Sequence, residues 1–142
     1  MGVMSFSAEP VPHVIELLSK HYKGGSVLDF GCGTGRYTDI FDEDGYLGVD
    51  GFPGNISWCE ANWTEREWLL ADLETWKPDK KFDYLFSSVS MEQLENLPMG
   101  WAQTYLLVEP IGFKHDYVGI YKPQEVVEIK DAEDVLKFMV AK

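Results

Sequence analysis

Cysteine is scarce in this chain. The 142 residues include two, Cys32 and Cys59, and neither belongs to a CxxC pair. That argues against a disulfide framework and a zinc or other metal site, and it fits a reducing, cytoplasmic compartment. Positive charge is scarce as well. Twelve Lys and Arg stand against 24 Asp and Glu, a formal net charge of −12. Such a surface repels phosphate backbones and anionic bilayers, which leans against nucleic acid and membrane partners. No apolar run approaches the length of a membrane span. The opening stretch MGVMSFSAEP lacks the basic start and apolar core of a secretory signal, and Phe6 stands where myristoylation wants Ser or Thr. No repeat, low-complexity tract or linker interrupts the chain, so residues 1–142 are read as one domain.

The apolar fraction, 45%, is that of an ordinary globular protein. Pro10 and Pro12 lead into a helical segment with Val11, Val14, Ile15, Leu18 and Tyr22 on one face, stopped by Gly24-Gly25. Short apolar runs follow at Ser26 to Phe30, Tyr46 to Val49, Trp68 to Ala71, Phe82 to Ser87 and Tyr105 to Val108. They read as strands buried on both faces. Helical stretches are expected at Arg36 to Phe41 and Met91 to Leu97, with a short one around Ile56 to Ala61. Strands alternating with helices imply an α/β fold, a mostly parallel sheet covered on both faces. The tail breaks the alternation. Tyr117 to Tyr121 and Glu125 to Ile129 flank Lys122-Pro123-Gln124, which reads as an antiparallel hairpin. Asp131 is placed to cap a last helix with Val135, Leu136, Met139 and Val140 on its apolar face.

The segment that carries chemistry is Val27-Leu28-Asp29-Phe30-Gly31-Cys32-Gly33-Thr34-Gly35. A buried strand runs into three glycines at alternate positions. Glycines let a backbone turn sharply and approach a ligand with no β-carbon in the way. Open α/β sheets bind ligands at this end of their strands. The dinucleotide fingerprint G-x-G-x-x-G fails, because Arg36 stands at its last position. A phosphate-binding P-loop fails too, for want of its Lys-Ser/Thr pair.

Asp29-x-Gly31-x-Gly33-x-Gly35 resembles motif I of the class I S-adenosylmethionine-dependent methyltransferases, a Rossmann-like three-layer sandwich family. The resemblance spans about residues 10–110 and implies S-adenosylmethionine as cofactor. Asp29, Gly31, Cys32, Gly33 and Gly35 would then surround its methionine part and sulfonium. Asp50, at the end of the second strand, would take the ribose hydroxyls, with Gly51 and Phe52 beside the adenine. Asp72 and Leu73 would read the adenine edge, and the fourth strand's end, Ser87-Ser88-Val89-Ser90, would face the cofactor, with Ser87 as the candidate contact. Asp83 is expected to be structural. Gln93 replaces the histidine usual in a following LEH stretch, so no general base is assigned. His13 and His115 are the remaining imidazole candidates. The motif IV strand lacks an Asn-Pro-Pro-Tyr sequence, which with the acidic charge points to a small-molecule acceptor. Family members usually add a long helix, a sixth strand and an antiparallel seventh. Only 32 residues follow Pro110, so a trimmed sheet is expected, completed by a homodimer or a partner chain. A cofactor-binding subunit without transferase activity of its own is the alternative.

Overall fold

The computed structural model of the chain describes residues 9–110, 114–130 and 136–142. Seven strands form one sheet: β1 (Val27–Phe30), β2 (Tyr46–Asp50), β3 (Glu67–Leu70), β4 (Phe82–Ser88), β5 (Ala102–Pro110), β6 (Glu125–Glu128) and β7 (Leu136–Ala141). Their order is β3-β2-β1-β4-β5-β7-β6. β1 to β5 pair in parallel, and β7 runs antiparallel between β5 and β6. Three α-helices accompany them among the described residues: α1 (Pro12–His21), α2 (Pro53–Asn62) and α3 (Tyr117–Tyr121).

Residues along each central strand alternate between two apolar layers. Leu28, Leu85, Leu107 and Met139 face one layer, which includes Tyr117 and Tyr121 of α3. Val27, Phe86, Leu106, Phe138 and Val140 face the other, with Val14, Leu17 and Leu18 of α1. The three-layer sandwich is therefore observed, and the continuous apolar runs reflect burial on both faces.

Four expected elements differ. Arg36 to Phe41 is not an α-helix but a chain of tight turns around a 3₁₀ segment, Thr38–Ile40. Bonds from Gly35 N to Cys32 O, Thr38 N to Gly35 O and Phe41 N to Thr38 O span three residues each. The stretch is too short to propagate a helix, and it runs straight into Asp42 to Gly45. Met91 to Leu97 is likewise turns, because Glu74 takes the amides of Glu95 and Asn96 at 2.9 and 3.0 Å. Tyr117–Tyr121 is a helix, not a hairpin arm. The Asp116 side chain caps it through Gly119 N at 3.0 Å, and Lys122 ends it with φ at +50°.

The tail helix is a strand. Leu136–Ala141 is β7, with Phe138, Met139, Val140 and Ala141 buried in succession. An internal strand shows no period of two, so its apolar run reads equally as a helix face. Its antiparallel partner is β6, so an antiparallel C-terminal pair exists but from different segments. Asp131 and Val135 lie outside the described residues. The sheet is thus not trimmed. Both strands beyond β5 are present, and the open edge that motivated a completing partner is filled. Economy comes from α3, five residues standing where a long helix was expected.

Candidate functional site

The sheet changes direction at β1. β2 and β3 lie on one side, β4 and β5 on the other. Loops leaving the ends of β1 and β4 therefore part and open a cleft, the usual ligand position in such sheets. The cleft has a volume of about 1690 Å³. That exceeds the roughly 300–1,000 Å³ of sites for drug-sized ligands, so there is room for a cofactor and a second molecule.

Gly31, Gly33 and Gly35 all hold left-handed φ, +77°, +57° and +78°. Gly31 also has a steric reason. A β-carbon there would lie 2.3 Å from Ser90 Cβ. The loop is held from outside: Val49 O accepts from Gly31 N at 2.8 Å and Cys32 N at 3.0 Å. Cys59 Sγ donates to Gly33 O at 3.4 Å, and Trp63 Nε1 to Thr34 O at 3.2 Å.

Asp29 is buried on the cleft floor and accepts from the Tyr46 hydroxyl. Burial raises its carboxyl to about 7, partly offset by that hydrogen bond, and the Asp50 charge adds to the rise. Asp50 is also raised by burial, and accepts from Asn55 Nδ2 at 2.6 Å. Two carboxylates that resist ionising in the same recess will favour a cationic ligand. Asn55 Oδ1 is buried without a hydrogen-bond partner, so a donor is wanted beside Asp50. A ribose hydroxyl meets that need.

Nine of the eleven expected cofactor residues line the cleft: Asp29, Gly31, Cys32, Gly33, Asp50, Gly51, Phe52, Asp72 and Leu73. Phe52 is 41% exposed and Leu70 48%, both on the cleft wall where an adenine ring would cover them. Asp72 has a second role, accepting from Glu74 N at 2.9 Å to hold the turn after β3. Gly35 and Ser87 do not line the cleft. A β-carbon on Gly35 would lie 2.9 Å from Trp63 Nε1, so that glycine seats α2's end against the loop. Ser87 points away from the cleft, wholly buried against Glu109. Its neighbours Ser88, Val89 and Ser90 reach the cleft instead.

The imidazoles lie elsewhere. His13 Nδ1 accepts from Lys130 N at 2.8 Å, and His115 Nε2 contacts Leu94 O at 2.7 Å. Neither lines the cleft. Asp83 is structural, accepting from Ser26 N at 2.9 Å. Sequence reasoning missed Asn55. Asn55 carried a faint signal, a polar residue at the first turn of a helix that follows Asp50. Ser90 belongs to the strand end expected to face the cofactor, and the β4 loop carries it to the cleft.

A methyltransferase-domain family profile matches residues 6–113. The chain is 30% identical over 98 residues to a malonyl-[acyl-carrier protein] O-methyltransferase of Serratia marcescens, covering 67% of this chain and 38% of that protein. It is 24% identical over 115 residues to a trans-aconitate 2-methyltransferase of Escherichia coli, covering 77% and 46%. The chain thus spans less than half the length of these curated relatives. Among solved structures, a TehB-like SAM-dependent methyltransferase of Corynebacterium glutamicum superposes with a TM-score of 0.68 at 18% identity. That match covers 98% of this chain and 91% of the other. The chain belongs to the methyltransferase-domain family and carries the Rossmann-like fold of S-adenosylmethionine-dependent methyltransferases.

Proposed function

We propose that the chain binds S-adenosylmethionine in this cleft and transfers its methyl group to a small-molecule acceptor, as a cytoplasmic enzyme. The observation that carries this reading is the joint placement of the left-handed glycine loop, Asp29 and Asp50 around one recess. The cofactor supplies an electrophilic methyl carbon on a cationic sulfur. Asp29 and the Gly31–Gly33 backbone hold the methionine end and favour its positive charge. Asp50, oriented by Asn55, accepts from the ribose hydroxyls. Phe52 and Leu73 enclose the adenine, and Asp72 accepts from its amino group. The chain's own work is to align donor and acceptor and exclude water, since the displacement is in line.

Supporting the small-molecule acceptor are the trans-aconitate named by one curated relative, the small malonyl group, carried on a protein, named by the other, and the chain's acidic charge. Calorimetric titration tests the reading. S-Adenosylmethionine and S-adenosylhomocysteine should bind and NAD should not; binding of NAD alone overturns it. Cofactor binding without turnover across a broad acceptor panel would favour the non-catalytic subunit.

A further inference from the structure

Beyond β4 the backbone makes a strained turn. Val89 holds φ at +52°, a value a β-branched residue seldom adopts unless its surroundings enforce it. Its N–H donates to Val108 O at 2.8 Å. The turn returns Ser90 over Ser87, with their hydroxyl oxygens 2.7 Å apart. Ser87 Oγ donates to Glu109 Oε2 at 2.9 Å, and Ser90 N reaches the same oxygen at 3.4 Å. Ser90 Oγ also lies 2.8 Å from the carbonyl oxygen of Phe30. Ser90 lines the cleft, whereas Ser87 and Glu109 have no exposure.

Glu109 is an expensive residue to keep in such a place. It enters none of the ion pairs among the described residues. Its Oε1 is buried without a hydrogen-bond partner. A purely structural acceptor for Ser87 would not require an acid. A buried acid reached from a cleft only through two hydroxyls has the layout of a proton path.

We propose that Ser90, Ser87 and Glu109 form a relay that removes a proton from the methyl acceptor, so that the acceptor is a hydroxyl, thiol or amine rather than a carboxylate. The proposal rests on the methyl-transfer reading above. With Glu109 ionised, Ser87 donates to Glu109 and Ser90 donates to Ser87, leaving a Ser90 lone pair for the acceptor's proton. As the acceptor atom bonds to the methyl carbon, the carbon–sulfur bond breaks and its electron pair stays on sulfur as a neutral thioether. The acceptor's proton passes to Ser90, that of Ser90 to Ser87, and that of Ser87 to Glu109. The chain then runs the other way: Glu109 donates to Ser87, Ser87 to Ser90, and Ser90 to the Phe30 carbonyl. That carbonyl gives the last proton a partner, matching the 2.8 Å bond that Ser90 Oγ donates to it. Glu109 and Ser87 are positioning and proton-holding residues; Ser90 is the one placed to touch the acceptor.

The acidity of Glu109 suits the task. Burial pushes its carboxyl up to about 7, against the Ser87 and Ser90 hydrogen bonds, with the Glu92 charge adding to the rise. A base works best when its pKa lies near the working pH. The titratable groups facing it are Glu92 and the phenols Tyr117 and Tyr121. Tyr117 donates to Glu92 at 2.5 Å and Tyr121 to Pro98 O at 2.8 Å. Both phenols are held protonated by burial, so of these facing groups Glu109 is the one that changes charge near neutrality. Asp29, also raised to about 7, is retained in both Glu109→Gln and Ser87→Ala and so separates from it.

Three measurements on the full chain test the relay, using Glu109→Gln and Ser87→Ala. Infrared difference spectra of wild type against Glu109→Gln should show a buried carboxyl that titrates near neutrality. A carboxyl that keeps its proton at pH 9, or has lost it at pH 5, overturns the relay. S-Adenosylmethionine binding should be unchanged in both variants. Loss of binding in the wild type itself would instead overturn the functional reading. With saturating S-adenosylmethionine and a panel of phenols, thiols, amines and carboxylates, the wild-type rate should rise to a break near pH 7. Both variants should lose the break and fall by about 100-fold or more on protic acceptors. An unchanged pH profile in Glu109→Gln, or transfer to carboxylates alone, overturns the relay and leaves the methyl-transfer reading standing.

Discussion

Substitution of the first loop glycine by alanine is the sharpest test of how the cleft is built. At Gly31 the added methyl would lie 2.3 Å from Ser90 Cβ and 2.4 Å from Ser90 Oγ. Ser90 cannot swing aside cheaply, because its hydroxyl is held by Phe30 O at 2.8 Å and Ser87 Oγ at 2.7 Å. The backbone at +77° adds about 1–2 kcal/mol for a residue with a β-carbon. Overpacking a tight contact adds about 1–3 kcal/mol. Reduced entropy of the unfolded chain returns about 0.4–1 kcal/mol. The expected net loss is thus about 1–5 kcal/mol, a large share of the roughly 5–15 kcal/mol of a typical domain. Urea denaturation of Gly31→Ala, Ser90→Gly and the double variant separates the causes. Ser90→Gly alone should cost about 1–3 kcal/mol by freeing buried partners. The double variant should be more stable than the sum of the two by about 1–3 kcal/mol, because the clash is gone. A Gly31→Ala protein within 0.5 kcal/mol of wild type, or strictly additive losses, would refute the steric account.

Further outcomes follow from the same geometry. Asp50→Ala should weaken S-adenosylmethionine binding by about 1–3 kcal/mol in a calorimetric titration, through lost charge-assisted hydrogen bonds; an unchanged dissociation constant rejects the ribose assignment. Asp29 holds its proton to about pH 7 when folded, against an ordinary 3.8. The folded state therefore binds more protons between those values, and stability falls as pH rises from about 4 to 7. Asp29→Asn should flatten part of that fall, by at most about 3 kcal/mol, in denaturation curves at pH 5 and 8; the other carboxyls raised by burial, Glu109 and Asp50, contribute the rest. An equally steep fall in the variant would count against the buried, ionisable Asp29. Phe138→Ala should cost about 3–5 kcal/mol, since Phe138 has no exposure on β7; a loss below 1 kcal/mol would place that segment at the surface.

Most of the cleft's lining was legible in the chain because it is local. Asp29, Gly31, Cys32 and Gly33 are consecutive or nearly so, and their spacing alone decides which carboxylate and amides share a strand end. Asp50 and Asp72 were found because acids close apolar strands, and parallel strands bring their ends to one edge. The elements that went astray are those whose form depends on neighbours. Leu136–Ala141 is a strand because β5 and β6 pair with it on both sides, and no period in its own residues records that. Met91 to Leu97 is not helical because Glu74, far away in the chain, claims its amides.

The division is physical. A turn and its glycines are settled by backbone sterics within a few residues, so the sequence by itself determined the glycine loop, the strands that carry it and the acids at their ends. Contacts between distant segments belong to the tertiary structure. Only the fold turned Ser87 inward, apart from its neighbours at the cleft. It also set Glu109 behind Ser87 and Ser90, closed Gly35 under Trp63, and filled the edge of the sheet with β7 and β6.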